Sequence, residues 1–313
     1  MTATALWCLG AGQAALRPAA DGEGISLRAL YSGISRGTER LVAEGRVPPS
    51  EWERMRAPFQ EGEFSFPVKY GYAMVAEVLE GPMAGQPVFA LFPHQDWFRL
   101  PETAFVPVPV GVPPARAVLA ANMETALNIL WDSGAGPGDR IAIVGAGVVG
   151  ALAGYLAARL PGAEVTLIDP QPKAALAGTL GCGFAAPEAA QGDCDVVIHA
   201  SASPAGLALA LDLAGMEAVV VEASWHGVGQ TPVALGGAFH SRRLKLISSQ
   251  VGAVPPARAP RWAYRRRLEK ALSLLADPAL DALISGETAF AGLPAAYGDI
   301  LSAPQTLCHR IRY

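Results

Sequence analysis

The stretch IAIVGAGVVGALAGYLAA, residues 141–158 of this 313-residue chain, contains no charged side chain. A membrane-spanning helix needs about 20 predominantly apolar residues, so length alone leaves a membrane segment open. The glycines favour a different structure. Gly145, Gly147 and Gly150 form a G-x-G-x-x-G pattern, preceded by β-branched and apolar residues and followed by apolar residues at helical spacing. The stretch therefore predicts a short buried strand, a tight turn and a helix.

The residues after this helix complete the pattern. A second apolar strand, AEVTLID at 163–169, ends on Asp169. Strand, glycine turn, helix, strand and terminal acid in this order are the fingerprint of a dinucleotide-binding βαβ unit. Because the acid would accept hydrogen bonds from the ribose of NAD and repel the 2′-phosphate of NADP, we expect NAD(H) rather than NADP(H). The nearest cation is Lys173.

Each glycine of the turn has a separate task in this interpretation. Gly145 permits the tight turn, Gly147 lets backbone N–H groups approach the pyrophosphate, and Gly150 lets the helix pack closely on the strand. The phosphates then lie at the helix N-terminus, where free N–H groups and the helix dipole favour an anion. The residues expected to contact the cofactor here are Gly145, Gly147, Val148, Val149 and Gly150.

Composition excludes several classes of protein. The formal net charge of −4 gives no general attraction to nucleic acid. The N-terminal residues lack the basic segment and apolar length of a signal peptide, so we expect a cytoplasmic protein that does not enter membranes. The cysteines are scattered without a C-x-x-C pair, which argues against a disulfide framework and favours reduced thiols. They are Cys8, Cys182, Cys194 and Cys308.

The texture of the sequence changes along the chain. Residues 1–117 are rich in glycine, proline and short alternating runs, which predicts a β-rich domain. Residues 118–252 alternate apolar strands with helical stretches, which predicts a parallel, doubly wound sheet. Residues 253–313 are too few to fold alone, and we expect them to return to the first domain. The basic cluster from Arg258 to Lys270 leads into an apolar stripe, so its arginines are expected on the solvated face of a helix.

Three stretches carry a resemblance to a known family: YSGISRGTE (Tyr31–Glu39), GYAMVAEV (Gly71–Val78) and GDRIAIVGAGVVG (Gly138–Gly150). Through them the chain resembles the medium-chain dehydrogenase/reductase superfamily, which includes the zinc alcohol dehydrogenases, over essentially its full length. The resemblance implies an α/β fold, with a doubly wound parallel-sheet (Rossmann) domain and a β-rich GroES-like catalytic domain. It also implies an NAD(P)-dependent oxidoreductase.

The chain departs from the family at its metal ligands. Where zinc members have a cysteine in the first stretch, this chain has Ser35 and Arg36, with the register ambiguous by one residue. The histidine and glutamate of the second stretch are replaced by Tyr72 and Ala73, and residues 120–127 offer no cysteine or histidine. The four-cysteine lobe that holds a structural zinc is also missing. Because zinc needs three or four N, S or O ligands, we expect a branch that lacks both zinc sites.

Without a metal, another donor must stabilise charge on the reacting oxygen. The resemblance places Tyr72 at the histidine-ligand position and matches Thr38 to the hydroxyl that relays a proton in zinc relatives. His94 lies in a loop after a strand, and histidine suits proton transfer near neutral pH. These three residues are the predicted catalytic groups. Each also has a structural interpretation: Tyr72 as packing, Thr38 as a turn cap and His94 as a partner of the backbone.

The resemblance also assigns residues to the ligands. It places Thr125 and Ser201 at the cofactor, with His199 as a strand-end neighbour. Glu124 is expected at a helix start, where the macrodipole favours a carboxylate. We expect the substrate outside the carboxyl ends of the parallel strands. The candidate substrate residues are Ser35, Arg36, Asn122, Trp225 and His226.

The first functional hypothesis is zinc-independent hydride transfer between a nicotinamide and the carbonyl or alcohol group of a small molecule. Three alternatives stay open: reduction of a C=C bond, as in quinone and enal reductases of the superfamily; a dehydrogenase acting on a chlorophyllide side chain; and a nucleotide-binding protein without catalysis. Family members commonly dimerise through the last sheet strand. We therefore expect a homodimer joined through Leu244–Val251, which is apolar enough to pair with a second copy.

Overall fold

The computed structural model describes residues 2–313. Its strands are β1 (Thr4–Gly10), β2 (Gln13–Pro18), β3 (Ile25–Ser35), β4 (Glu61–Gly62), β5 (Val68–Lys69), β6 (Met74–Val78), β7 (Pro87–Ala90), β8 (Trp97–Leu100), β9 (Phe105–Pro107), β10 (Arg140–Val144), β11 (Glu164–Ile168), β12 (Gly183–Ala185), β13 (Cys194–His199), β14 (Ala214–Glu222), β15 (Lys245–Ser248), β16 (Ile284–Ala289) and β17 (Cys308–Arg312). Its α-helices are α1 (Arg36–Ala43), α2 (Pro114–Ala117), α3 (Ala120–Ser133), α4 (Val148–Ala157), α5 (Ala174–Leu180), α6 (Pro204–Leu213), α7 (Tyr264–Ser273) and α8 (Leu293–Ser302).

The chain divides into two units, each with its own core. The first contains residues up to Ala121 together with Leu268–Tyr313, and the second contains Asn122–Arg267. Both divisions fall later in the sequence than the expected boundaries at 117/118 and 252/253. The predicted fold class, an α/β chain with a parallel-sheet domain and a β-rich domain, is confirmed.

The first unit is built on two sheets. One has the strand order β2-β1-β5-β4, and the larger has the order β16-β17-β3-β6-β7-β9 with β8 also paired to β3. The C-terminal strand β17 runs antiparallel to β3, with Cys308 opposite Ser35 and Arg310 opposite Gly33. Alternating apolar residues of β3 and β6 bury one face of the larger sheet, including Leu27 and Met74.

The second unit contains a parallel sheet with the strand order β12-β11-β10-β13-β14-β15. Strand β10 is central, and the chain reverses its direction of travel across the sheet between β10 and β13. In doubly wound sheets, ligands bind outside the carboxyl ends of the strands at such a switch point. The ends of β10 and β13 are Val144 and His199, which lie opposite each other. This edge of the sheet is therefore the position at which doubly wound sheets bind their ligands.

The apolar stretch at residues 141–158 forms a buried strand, a turn and a helix. Strand β10 and helix α4 flank the glycines, and α4 ends at Ala157. Its residues are mostly buried against neighbouring strands, which explains the absence of charge. Within residues 2–313, no helix combines the length and apolarity that crossing a bilayer requires.

The basic cluster corrects one expectation. Arg265 and Arg266 are exposed as predicted, but Arg267 is 2% exposed. Its Nε donates to Glu124 Oε1 at 3.0 Å, and its guanidinium also bonds Asn128. Glu124 lies in the second turn of α3, so a buried ion pair rather than the helix dipole accounts for it. The helical pattern identified the buried face of α7, but it could not show that an arginine would lie on that face with a carboxylate opposite.

Candidate functional site

The glycine turn has the shape that close approach of a phosphate requires. Gly145 has φ +104°, and a Cβ there would lie 2.7 Å from the backbone nitrogen of Ser201. A Cβ on Gly150 would lie 2.0 Å from the carbonyl oxygen of Gly145. Gly147 is the N-cap of α4, and a Cβ there would meet no heavy atom within 4 Å. The chain itself needs the first and third glycines, while the second leaves open space at a helix N-terminus, which fits a dinucleotide.

Asp169 follows β11 and is bonded to the glycine turn. Its Oδ2 accepts from the Ala146 N–H at 2.9 Å and from Lys173 Nζ at 3.2 Å, and its Oδ1 accepts from the Gln171 N–H at 2.9 Å. Lys173 Nζ also donates to the Ala146 carbonyl at 2.9 Å. Oδ2 already accepts two hydrogen bonds, and Oδ1 can accept one more. The acid predicted to bind a ribose is therefore also the residue that fixes the turn.

A polar cluster lies at the adjacent ends of β13 and β14, where the sheet register pairs His199 with Glu222. His199 Nδ1 is 2.6 Å from Glu222 Oε2, and its Nε2 is 2.7 Å from Ser201 Oγ. Burial opposes ionisation of Glu222, but the hydrogen bonds from His199 and Ser224 outweigh it, so the pKa of Glu222 lies below its ordinary value. The cluster is a carboxylate bonded to a buried imidazole beside the glycine turn.

The backbone after His199 is held in an uncommon conformation. Ala202 has φ +52°, in the left-handed region that non-glycine residues rarely adopt. Its N–H donates to Ser224 Oγ at 3.0 Å, and this contact ties the end of β13 to the end of β14. Strain of this kind costs about 1–3 kcal/mol and persists where the surroundings impose it, often at functional sites.

A hydroxyl cluster forms in the first unit. The Tyr72 phenol hydrogen-bonds the side chains of Ser35 and Thr38. Burial, followed by the charge of Glu39, raises the pKa of Tyr72 to about 12 against the lowering effect of those hydrogen bonds. Ser35, one of the two residues at the ambiguous cysteine position, and Thr38 therefore contact the same phenol. The neutral phenol is available as a proton donor across the physiological pH range.

Glu39 lies behind this cluster and is fully buried. Its Oε1 accepts from the Ser35 N–H at 2.8 Å. Its Oε2 accepts from His94 Nε2 and from Tyr297 Oη, both at 3.0 Å. With three donors on two oxygens, the carboxyl group is satisfied by the chain alone.

His94 is not where the sequence interpretation expected it. It is 1% exposed, with Nε2 on Glu39 and Nδ1 2.7 Å from Ser32 Oγ, which in turn lies 3.0 Å from Tyr313 Oη. Because both ring nitrogens are bonded inside the protein, His94 supports Glu39 and is not presented to a substrate. Gly71 makes room for the ring: its φ is +128°, and a Cβ there would lie 3.0 Å from His94 Cδ2.

The positions that hold zinc ligands in the resembling family carry hydroxyl groups and alanine in this chain. Ser35 and Thr38 carry hydroxyl groups bonded to the Tyr72 phenol, and Ala73 has no ligand atom. Within residues 2–313, the one group of three histidine, cysteine or carboxylate side chains close enough to hold a metal is elsewhere, in the second unit. The residues around Tyr72 do not fit a zinc ion.

The other predicted site residues lie on several elements. Arg36 begins α1, Val148 and Val149 begin α4, and Asn122 and Thr125 lie on α3. Trp225 follows β14 and is partly exposed. His226 Nδ1 is 3.0 Å from Thr231 Oγ1, and its Nε2 is 3.4 Å from Glu222 Oε2. The structure thus brings Ser35, Thr38 and Tyr72 together in one unit, and Gly145, Ser201 and His226 to one sheet edge in the other.

Four polar residues of the first unit escaped the sequence interpretation. Glu39 ends one of the quoted stretches, so its position in the family-like motif was a usable signal. Ser32 lies in the same stretch, on β3. Tyr297 and Tyr313 are separated from their partners by 258 and 281 positions, and the sequence carries no signal for such contacts.

Comparison with known proteins gives matches among solved structures alone. No protein-family model matches the chain, and no curated protein matches it. L-idonate 5-dehydrogenase from Escherichia coli is 15% identical, with a TM-score of 0.79 over 100% of this chain and 99% of that one. A putative zinc-binding dehydrogenase from Sinorhizobium meliloti bound to NADP is 18% identical, with a TM-score of 0.78 over the whole of both chains.

A third match is a short chain alcohol dehydrogenase from Escherichia coli complexed with NADH. It is 13% identical, with a TM-score of 0.76 over 100% of each chain. The agreement extends over the full length of all three structures, and it includes both the β-rich unit and the parallel sheet. The chain therefore has the same fold as these dehydrogenases, with a β-rich unit and a unit built on a parallel sheet.

Proposed function

We propose that the chain is a nicotinamide-dependent oxidoreductase that transfers hydride between NAD(H) and the carbonyl or alcohol group of a small molecule, with Tyr72 as the proton-transfer group in place of zinc. The observation that carries the proposal is the cluster of Tyr72, Ser35 and Thr38 over the buried Glu39. The full-length likeness to dehydrogenases, some bound to NADP or NADH, supports the same class of reaction.

The glycine turn supports the nucleotide assignment. Gly145 and Gly150 have the close backbone approaches described above, and Gly147 leaves the N-terminus of α4 accessible. Asp169 disfavours the 2′-phosphate of NADP by charge, which supports the preference for NAD. Lys173 lies 3.2 Å from this carboxylate and offsets part of its charge, so the preference should be moderate.

The proposed mechanism assigns proton transfer to the hydroxyl cluster. A bound nicotinamide would supply or accept the hydride. In the reducing direction, Tyr72 Oη donates a hydrogen bond to the carbonyl oxygen and transfers its proton as the alcohol forms. The phenol then regains a proton from solvent, relayed through the hydroxyl of Ser35 or Thr38. Burial, and to a smaller extent the negative charge of Glu39, keeps the phenol protonated between turnovers, because both raise the cost of forming a phenolate.

Glu39 and His94 have a positioning role in this mechanism. Glu39 holds the Ser35 backbone at 2.8 Å, and Ser35 in turn contacts the phenol. His94 and Tyr297 hold the carboxylate from the other side. The cluster is therefore fixed before substrate arrives, which is the condition under which hydrogen-bond donors stabilise developing charge most strongly.

A substrate screen combined with two tyrosine variants tests the proposal. NADH and NAD are offered with ketones, aldehydes, alcohols, quinones and enals, which separates carbonyl chemistry from C=C reduction. Tyr72→Phe removes one hydroxyl and should lower kcat by roughly 10²- to 10⁴-fold while NADH binding is unchanged. Tyr31→Phe, in the same unit but outside the cluster, is the control. Turnover that survives Tyr72→Phe would reject the assignment, and failure to bind either reduced dinucleotide would reject the function.

The proposed quaternary structure is a homodimer joined through β15. This strand is at the edge of the parallel sheet, so one side of its backbone is unpaired within the unit. Leu246 and Ile247 are partly exposed along it. Light scattering at micromolar concentration should give twice the mass of the chain, and a proline placed at Leu246 should reduce it to the monomer mass. A monomeric native protein would contradict this proposal.

A further inference from the structure

The ends of β13 and β14 carry three ligand-bearing side chains that converge. His199, Glu222 and His226 each offer one donor atom, and these atoms lie within 4.8 Å of one another. The parallel register places His199 beside Glu222, and His226 follows four residues after Glu222. Two imidazoles with one carboxylate are a ligand set typical of open zinc sites.

The contacts of the two rings match those of metal-ligating histidines. Such rings usually direct one nitrogen at the ion while the other is held by a second group. Here the outer nitrogens meet hydroxyl groups: His199 Nε2 is 2.7 Å from Ser201 Oγ, and His226 Nδ1 is 3.0 Å from Thr231 Oγ1. The remaining nitrogens, His199 Nδ1 and His226 Nε2, both face Glu222.

The protein leaves this arrangement incompletely bonded. His226 Nε2 is buried and has no hydrogen-bond partner, although it lies 3.4 Å from Glu222 Oε2. Buried polar atoms without a partner are uncommon in folded proteins and call for an explanation. The Glu222 side chain is 19% exposed, which leaves a route from solvent to the cluster.

One of the ligand separations equals that of a tetrahedral site. Zinc bonds of about 2.1 Å place neighbouring ligand atoms about 3.4 Å apart. The separation of His226 Nε2 and Glu222 Oε2 is 3.4 Å, whereas His199 Nδ1 and Glu222 Oε2 are 2.6 Å apart because they share a proton. The ion would take the place of that proton, and these two atoms would move apart by about 0.8 Å to reach the tetrahedral separation.

We propose that His199, Glu222 and His226 bind one divalent transition-metal ion of the zinc class. The site is distinct from the hydroxyl cluster of the first unit and does not depend on the proposed oxidoreductase function. Three protein ligands leave a fourth position for water or another small ligand. Because the ion binds the nitrogen that faces Glu222, the His199 proton moves to Nε2, where it can be donated to Ser201 Oγ.

Metal titration of the nucleotide-free, full-length protein tests the site. After treatment with a chelator, Zn²⁺ is added and its binding is followed by calorimetry. Co²⁺ is added in parallel because its visible absorption reports tetrahedral nitrogen and oxygen ligands. We expect one ion per chain and a tetrahedral cobalt spectrum.

Variants locate the ion. His226→Ala and Glu222→Gln should abolish binding, whereas His240→Ala, which removes an exposed histidine of the same unit, should leave it unchanged. Thr231→Val and Ser201→Ala keep all three ligands and should weaken binding by roughly 10- to 100-fold. Circular dichroism shows that each variant is folded.

Two results would overturn the site. Either the native protein takes up no ion, or ions bind equally well to native protein and to folded His226→Ala. Neither result affects the proposed hydride transfer, which depends on Tyr72 and on NADH binding. Conversely, loss of NADH binding would leave the metal titration interpretable.

Discussion

Glu39 and Glu222 are both carboxylates bonded to a histidine, but they differ in how far the chain satisfies them. Glu39 is fully buried and is enclosed by the Ser35 N–H, His94 and Tyr297. Glu222 is partly exposed, and His226 Nε2 beside it has no partner. A cluster that satisfies all its own groups can only position other residues, whereas one with unused donors and an open side can accept a ligand.

The largest expected effect comes from truncating each carboxylate. Glu39→Ala leaves an imidazole, a phenol and an N–H unpaired in the core, so we expect a loss of about 3–5 kcal/mol in the free energy of unfolding. Glu222 is 19% exposed, so water can enter the space that Glu222→Ala vacates and bond His199, and the change should cost about 1 kcal/mol. Denaturant midpoints of the two variants measure the difference.

Glu39→Gln is the control for shape, because an amide can bond the same three neighbours. It should recover most of the stability lost in Glu39→Ala. Equal losses in the free energy of unfolding for Glu39→Ala and Glu222→Ala would mean that the two carboxylates do not differ in how fully the chain satisfies them.

The second-largest expected effect is a difference in stability between alanine variants of two glycines in the turn. In Gly150→Ala, the Cβ would lie 2.0 Å from a backbone oxygen, so the turn must open at a cost of about 1–3 kcal/mol. Gly147→Ala meets no neighbour within 4 Å and keeps an ordinary φ of −70°, so stability should be unchanged. NADH affinity should fall in both variants, in the second because the methyl group occupies space needed by the phosphates.

Thermal unfolding and NADH titration together check this pair. Gly147→Ala with native stability and native NADH affinity would contradict the placement of the pyrophosphate at the N-terminus of α4.

A third effect concerns the proton on Tyr72. Its pKa is raised from the ordinary value of 10.0 to about 12, so the phenol stays neutral where a free tyrosine ionises. Between these values the folded state holds more protons than the unfolded state, and the stability that this group contributes is lost as pH rises through about 12. The difference in phenolate absorbance between native protein and Tyr72→Phe should therefore show no ionisation near pH 10. Ionisation near pH 10 would show that burial and the charge of Glu39 do not keep the Tyr72 phenol protonated.

Local sequence predicted the parts of both units in which neighbours along the chain are neighbours in space. The strand, glycine turn, helix and acid lie within one βαβ segment, and their geometry agrees with the motif. The contacts of Tyr72 with Ser35 and Thr38 could also have been predicted from sequence. Tyr72 lies just before β6, Ser35 ends β3 and Thr38 follows it, and these two strands are paired.

The complete hydrogen bonding of Glu39 by the chain could not be predicted in the same way. Glu39 receives Tyr297 from a helix 258 positions away, and Ser32 contacts Tyr313 across a strand pairing that sequence periodicity does not specify. His94 was misjudged for this reason: a loop histidine after a strand suggests exposure, but the bonds to Glu39 and Ser32 bury it. The burial of Arg267 could not be predicted for the same reason, because it depends on the distant partner Glu124 more than on the position of Arg267 in the helical pattern.

The smallest expected effect concerns Lys173, the cation that bonds both Asp169 and the Ala146 carbonyl. Lys173→Met removes the charge but keeps most of the side chain. Asp169 then repels a 2′-phosphate more strongly, so the ratio of NADPH to NADH dissociation constants should rise by a few-fold, as expected for an ion pair of about 0.5–1 kcal/mol. Lys245→Met, an exposed lysine on β15, is the control. Competition binding of the two dinucleotides measures the ratio; a fall instead of a rise would mean that Lys173 acts on the turn more than on the charge of Asp169.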